Sequence, residues 1–221
     1  VMVRRTRKEI KKYFAKDIEQ QGLTFPEVAD PIALPYEFDD EINSIFNETI
    51  DIIQEKFLKA RYTPYKYLIK KPADFDIARQ DNLGAFMKTM LVKRLESSFH
   101  AFKLTVKRFI QSHEDFVKMF NSGKVMISKK LNVFDLIDED DQEKINKLID
   151  EGRLETFNSS DFKENFIEDI QADIEALRNI ETLWKDVQKD PKLDKLKLEL
   201  ESDHKLKSKK IVMFTESAET G

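Results

Sequence analysis

Residues 77–121 read IARQDNLGAFMKTMLVKRLESSFHAFKLTVKRFIQSHEDFVKMFN, which is a long helical pattern. Apolar side chains recur in it with a period near 3.6 residues, as on the buried face of an amphipathic helix. The pattern can be interrupted at two places, Ser97-Ser98 and Ser112-His113, and it ends at Asn121-Ser122-Gly123. The stretch therefore predicts helix over 77–121, with a break at one of these serine positions.

A second helix is predicted on the N-terminal side of this stretch. Asp39 or Asp40 is a suitable N-cap, and the apolar periodicity continues to about Arg61, shortly before Pro64. Residues 62–76, between this second helix and the long stretch, are predicted to form a loop that contains three tyrosines.

Two more helices are predicted on the C-terminal side. Ser160 or Asp161 is expected to cap a long helix that runs to about Lys189. Asp190-Pro191 then begins another helix, since proline is favoured at the first helical position. The buried side of that last helix is predicted to consist of Leu193, Leu196 and Leu200.

The remaining segments are shorter. A basic helix with an apolar stripe of Ile10, Phe14 and Ile18 is expected to end at Gly22, and a small helix is expected at 140–150. Residues 23–38 contain three prolines and are expected to be extended. At most a few short strands are predicted, near 1–3, 30–37, 124–128 and 210–215.

The composition agrees with a helical fold. The 221 residues include 5 Gly and 6 Pro, too few for the frequent turns of a β-sandwich or barrel. We therefore predict an all-α fold, an irregular multi-helix bundle with a few short edge strands. The β-like segments at both ends have no predicted partner strands, so we expect the chain to be a segment of a larger protein. A helical protein whose two ends pair with each other is the alternative.

Several kinds of site are excluded by residue counts. The absence of cysteine rules out disulfides, Cys-ligated zinc and a Cys nucleophile, and it suits a reducing cytoplasm. The three histidines have no ligand-like spacing. The two nearest glycines are 29 residues apart, so a phosphate-binding loop cannot occur. No apolar run approaches the roughly 20 residues of a membrane span.

The acidic stretch FDLIDEDD at 134–141 resembles the apolar run plus Asp-Glu that holds magnesium in nucleotide hydrolases. Asp135 interrupts the apolar run, and no phosphate loop precedes it. We interpret the stretch as the acidic N-terminus of a helix, where carboxylates interact favourably with the helix dipole.

Charge is distributed unevenly. Residues 1–130 hold 24 Lys and Arg against 18 Asp and Glu, whereas residues 131–221 hold 14 against 24. Basic side chains that can contact phosphates are therefore concentrated in the first half. The candidate nucleic-acid-binding residues are Arg4, Arg5, Arg7, Lys93, Arg94, Lys103 and Lys107. The alternative is that these side chains form an ordinary solvated surface.

Five stretches together resemble one family. They are VMVRRTRKEIKKYF (1–14), FPEVADPIALPYEFDDE (25–41), MLVKRLESSFHAF (90–102), DPKLDKLKLEL (190–200) and KKIVMFTESAETG (209–221). In this order they resemble the end of the first motor lobe, the helical region between the lobes and the first strand of the second lobe in bacterial Snf-type (superfamily 2) helicase-like, DNA-dependent ATPases. The stretch 110–189 is longer and more acidic than expected in that family.

The resemblance implies four segments. Residues 1–38 would close the first lobe, 39–123 would form the helical region, 124–208 would be an acidic helical insertion and 209–221 would begin the second lobe. ATP and magnesium would bind to parts of the parent protein outside this chain, so the chain itself should hold no cofactor and should not hydrolyse ATP. Duplex DNA and the missing motor lobes are the implied partners, in the cytoplasm. The rival hypothesis is a stand-alone helical protein-interaction module.

Overall fold

The computed structural model describes residues 6–25, 30–128, 154–203 and 210–215. The chain divides into two compact units, Val1–Pro35 and Tyr36–Gly221. Regular structure in the described residues is mostly helical, and the strands among them form one two-stranded sheet. The predicted all-α class is thus confirmed, while the four-segment division stays a prediction.

The first unit contains two short helices, α1 (Arg7–Tyr13) and α2 (Ala15–Gln20). Thr6 and Glu9 form a capping box that fixes the start of α1, because each side chain accepts a hydrogen bond from the other residue's backbone N–H. The prediction of one continuous helix is wrong, since the backbone leaves helical geometry at Phe14. Gly22 has a φ of +60° and ends α2 as predicted.

The second unit begins with α3 (Asp40–Asp51), which continues as a π-helical turn, Ile52–Lys56. Asp39 caps α3 as predicted, since its carboxylate accepts the N–H of Ile42 at 2.8 Å. The predicted end at Arg61 is wrong, because Phe57 is extended. Two 3-10 turns follow, Ala60–Tyr62 and Pro64–Tyr67, within the predicted loop region.

The long helical pattern forms two helices, α4 (Asp74–Ser97) and α5 (Phe99–Asn121). Ser98 is extended, with φ −160° and ψ 150°, and its hydroxyl accepts the N–H of Ala101 to cap α5. Of the two predicted break points, Ser97-Ser98 is confirmed, and α5 passes through Ser112-His113 without interruption.

After α5 the chain forms β1 (Lys124–Ser128), which pairs antiparallel with β2 (Leu154–Asn158). The strand at 124–128 is confirmed, and β2 was not predicted. The predicted strands at 30–37 and 210–215 are wrong, since both segments lack strand structure. The predicted strand at 1–3 and helix at 140–150 lie outside the described residues.

Two helices complete the second unit, α6 (Asn165–Trp184) and α7 (Pro191–Ser202). Helix α6 starts later than predicted, because residues 159–161 form a 3-10 turn and Phe162 forms an isolated β-bridge with Leu68. It also ends earlier than the predicted Lys189. Asp190 caps α7 as predicted. The buried side predicted for α7 is wrong, since none of its residues is buried.

Helix α5 lies at the centre of the second unit and packs against α4 and α6. One apolar cluster surrounds Phe102, Phe109 and Trp184. A second cluster surrounds Phe166 and includes the inward side chains of β1. The indole N–H of Trp184 donates to the Thr49 hydroxyl at 2.8 Å, which satisfies the polar atom of the largest core side chain.

A buried carboxylate holds the connection between α3 and α4. Asp173 on α6 is fully buried, and its two oxygens accept backbone N–H groups of Leu58, Lys59 and Ala60 at 2.5, 3.1 and 2.7 Å. Burial raises the pKa of Asp173 to about 7, although the three N–H donors act in the opposite direction. The carboxylate of Asp173 thus supplies the hydrogen-bond acceptors that this non-helical backbone requires inside the protein.

His113 is buried in α5 beside this connection. Its Nδ1 donates to the carbonyl of Phe109 at 2.7 Å, so the neutral ring has a bare Nε2. The imidazole packs edge-on against the Tyr62 ring, with the ring centroids 5.5 Å apart. Burial lowers the pKa of His113 to about 3, and the positive charge of Arg61 contributes in the same direction. The folded protein therefore keeps this imidazole neutral.

We predict that Asp173→Ala lowers the free energy of unfolding by about 3–5 kcal/mol, because three backbone N–H groups, that of Ala60 fully buried, lose their acceptor. Urea denaturation measures the change. Glu175→Ala removes an exposed carboxylate two residues away on the same helix and should change stability by no more than about 0.5 kcal/mol. Equal effects of the two substitutions would contradict the role given to Asp173.

We also predict an acid-sensitive contribution from His113. Its pKa is lower in the folded state than the ordinary 6.5, so the unfolded chain binds the extra proton as the pH falls. The stabilising contribution is complete above pH 6.5 and is lost toward pH 3, by up to about 1.4 kcal/mol per pH unit. Between pH 6.5 and 5, the free energy of unfolding of the wild-type chain should fall by about 2 kcal/mol more than that of the His113→Gln variant. Urea denaturation of both proteins measures the change, and a difference in unfolding free energy that stays constant over this pH range would refute the prediction.

Candidate nucleic-acid interface

The most concentrated basic surface in the described residues lies on α1. Its seven residues include four cations within two helical turns, and all four are exposed. Residues three and four apart share one face of a helix, so Lys8, Lys11 and Lys12 project from the same side. The carboxylate of Glu9 is engaged in the capping box. The helix therefore presents a cluster of positive charge to solvent.

Two of these lysines also lie near aromatic rings within the first unit. The Lys11 ammonium is 6.0 Å from the centre of the Phe25 ring, and that of Lys12 is 5.2 Å from the centre of the Tyr13 ring. Cation–π contacts at exposed sites are worth only about 0.5–1 kcal/mol. The ammonium groups stay accessible to an anion.

Three of the predicted binding residues are exposed in the described structure: Arg7 on α1, Lys93 on α4 and Lys107 on α5. Arg4 and Arg5 lie outside the described residues. The break at Ser98 places Lys93 on a different helix from Lys103 and Lys107.

Arg94 does not belong to an exposed interface. Its residue exposure is 4%, and it lies on the face of α4 that also buries Leu91 and Leu95. Lys93, one position earlier, is about 100° away around the helix and remains in solvent. The sequence pattern placed both residues in one basic pair, but the helical period separates them.

Lys103 has a structural role in the fold. It is half-buried, and its ammonium donates to the carbonyl of Val187, at 2.5 Å, just beyond the end of α6. Burial lowers the pKa of Lys103, and the nearby charge of Lys107 lowers it further. Lys107 is thus the exposed cation of the two.

The candidate site residues that the sequence prediction omitted are Lys8, Lys11 and Lys12. The signal for them is present in the sequence, since they are spaced i, i+3 and i+4 in a helix whose start the Thr6–Glu9 capping pair marks. In this segment the prediction names only Arg4, Arg5 and Arg7, because several guanidinium groups on one short segment match an anionic backbone. Exposure and clustering, which the structure supplies, favour the lysines.

Metal-binding groups and membrane-spanning helices were also sought in the described part of the chain. Within residues 6–25, 30–128, 154–203 and 210–215, no three His, Asp or Glu side chains are grouped so that they could hold a metal ion. The acidic stretch 134–141 lies outside these ranges. None of the helices that the structure describes has the length and apolar character to cross a membrane.

Comparisons with known proteins do not identify a relative. Neither family models, curated proteins nor solved structures gave a match to this chain.

We predict opposite behaviour for two basic residues of the central helices. Arg94→Ala should lower the free energy of unfolding by about 2–4 kcal/mol, because it removes a buried side chain and leaves a cavity. Lys107→Ala should change it by about 0.5 kcal/mol or less, since the side chain is exposed. Urea denaturation of both variants checks this. An Arg94→Ala protein as stable as the wild type would contradict the structural role of Arg94 and restore it as a candidate binding residue.

Proposed function

We propose that the chain is the helical segment between the two motor lobes of a Snf-type, ATP-dependent DNA translocase, and that it contributes contacts to the phosphate backbone. The observation that carries the DNA contact is the exposed cation cluster on α1, Arg7, Lys8, Lys11 and Lys12. The proposal for the parent protein rests on the five stretches that resemble that family.

The spacing on α1 suits a polyanion. Lys8 and Lys12 are one turn apart, which is a rise of about 6 Å along the helix axis. Duplex DNA carries a negative charge about every 1.7 Å of its axis, so several phosphates lie within reach of one such cluster. Contacts of this kind position a protein on DNA without reading its sequence. Binding should therefore be independent of base sequence.

The parent protein would supply the chemistry of ATP hydrolysis. ATP and magnesium would be held by motor-lobe motifs that this chain does not contain, in a cytoplasmic protein. The segment would join the lobes and keep them on DNA. Its own surface charges, rather than a catalytic group, are what we expect to matter.

A second candidate function is a helical module that binds a protein partner. It is favoured by the apolar side chains that α7 and residues 211–214 expose. Leu193, Leu196 and Leu198 are 46%, 38% and 58% exposed, and Phe214 is 95% exposed. Apolar side chains grouped at a surface often mark sites of protein contact. This function does not depend on the cations of α1.

Replacing Lys8, Lys11 and Lys12 by Ala tests the DNA proposal. Each phosphate contact contributes roughly 0.9 to the slope of log affinity against log salt concentration, so the slope should fall by up to about 2.7. Duplexes of unrelated sequence should be affected alike. Fluorescence anisotropy of labelled duplexes over a series of salt concentrations gives the slopes.

The matched control replaces three exposed lysines of the second unit by Ala, namely Lys185, Lys189 and Lys197. It changes the net charge by the same amount but leaves α1 intact. A loss of slope in the α1 variant alone supports the proposal. Equal losses in both variants, or no DNA binding by the unmodified chain at low salt, would leave the protein-binding module as the better account.

A further inference from the structure

Lys59 has an unusual backbone conformation. Among the described residues it is the only non-glycine residue with positive φ, with φ 60° and ψ 29°. Cβ crowds the backbone in this left-handed region, so glycine or asparagine is the common choice there. Such outliers persist only where the surrounding structure imposes them, and they are frequent at functional sites. The position therefore retains a lysine side chain against the preference of its backbone.

The surrounding structure fixes both the backbone and the side chain of Lys59. The buried carboxylate of Asp173 accepts the N–H of Lys59 and those of its two neighbours. On the opposing helix α4, Gly84 leaves room for the lysine methylenes: a Cβ at Gly84 would lie 2.7 Å from Cδ of Lys59 and 3.2 Å from its Cγ. The side chain of Lys59 thus crosses α4 at its glycine.

Lys88 lies one turn beyond Gly84 on the same face of α4. Its ammonium donates to the carbonyl of Gln54 at 2.8 Å, which fixes its position. Burial lowers the pKa of Lys88, and the positive charge of Lys59 lowers it further, as expected for two cations held near each other. Both lysines are partly exposed, so an anion can reach them.

The negative groups near the two lysines do not neutralise them directly. Asp173 and Glu55 both act on Lys88 electrostatically. The oxygens of Asp173 are occupied by three backbone N–H groups, and Glu55 is exposed. In the part of the chain that the structure describes, neither Lys59 nor Lys88 forms an ion pair.

We propose that Lys59 and Lys88 form a binding site for a phosphate group. The side chain of Lys59 crosses α4 at Gly84, and Lys88 lies one turn further on the same face, so their positive charges repel each other unless an anion lies between them. Lysine binds phosphate as a compact point charge. The phosphate can be a free ion or part of a DNA backbone. The site does not require the function proposed above, since a free phosphate would satisfy it.

The test is an NMR titration of the lysine ammonium groups, with inorganic phosphate in one series and a short DNA duplex in another. Lys59→Gly and Lys88→Met should each weaken phosphate binding about tenfold, the loss expected for one charge-assisted hydrogen bond. Lys185→Met, at an exposed lysine after α6, is the control and should leave the affinity unchanged.

Two further readouts separate binding from a structural role. Lys59→Gly should leave the melting temperature unchanged or raise it, because glycine adopts the left-handed conformation without strain. Gly84→Ala keeps both charges, but its methyl group would displace the Lys59 side chain, so it should also weaken phosphate binding. A lowered melting temperature of Lys59→Gly with unchanged affinity would overturn the proposal.

The two titrations distinguish the source of the phosphate. If the variants lose affinity for both inorganic phosphate and the duplex, the site binds a DNA backbone phosphate. If they lose affinity for inorganic phosphate alone, the site binds a free phosphate. If the duplex does not bind at all, the proposed DNA function fails, while the phosphate series still tests the lysine pair. If Lys185→Met loses as much phosphate affinity as Lys59→Gly and Lys88→Met, the proposed site is overturned.

Discussion

A single buried carboxylate, that of Asp173, organises the middle of the second unit. The connection from α3 to α4 runs through the interior, and its side chains Tyr62, Tyr65 and Leu68 are buried. Backbone that lies inside a protein without helix or sheet must find hydrogen-bond partners in side chains. Asp173 supplies them for residues 58–60, and Gln80 accepts the N–H of Tyr65 at 2.8 Å. With these groups satisfied, the connection packs as part of the core and brings α3, α4 and α6 together.

The periodic helices were predictable from the sequence because local preferences and the apolar pattern agree there. Asp39, Ser98 and Asp190 act as caps at or next to the places where the pattern indicates them. The connection from 57 to 68 was not predictable in detail, since its conformation depends on a carboxylate more than 100 residues away. Leu193 and Leu196 follow a helical period that implies burial, yet α7 has no buried residue.

The candidate site was only partly predictable for a similar reason. A run of basic residues shows where positive charge is concentrated, but exposure depends on which helical face packs into the core. Lys93 and Arg94 are adjacent in sequence and opposite in environment, exposed and buried. The lysines of α1 are all exposed because that helix buries no residue. Lys59 and Lys88 are 29 positions apart, so only the fold reveals that both lie along the face of α4 that contains Gly84.

Amide hydrogen exchange of Leu58, Lys59 and Ala60 tests the central role of Asp173 most directly. These residues lie at the end of a π-helical turn and at the start of a 3-10 turn, where amides ordinarily exchange quickly. If Asp173 holds them in the core, their amides should exchange only on global unfolding, as slowly as those of Leu177 and Ile180 in α6. Exchange as rapid as that of the exposed residues 70 and 71 would contradict the account.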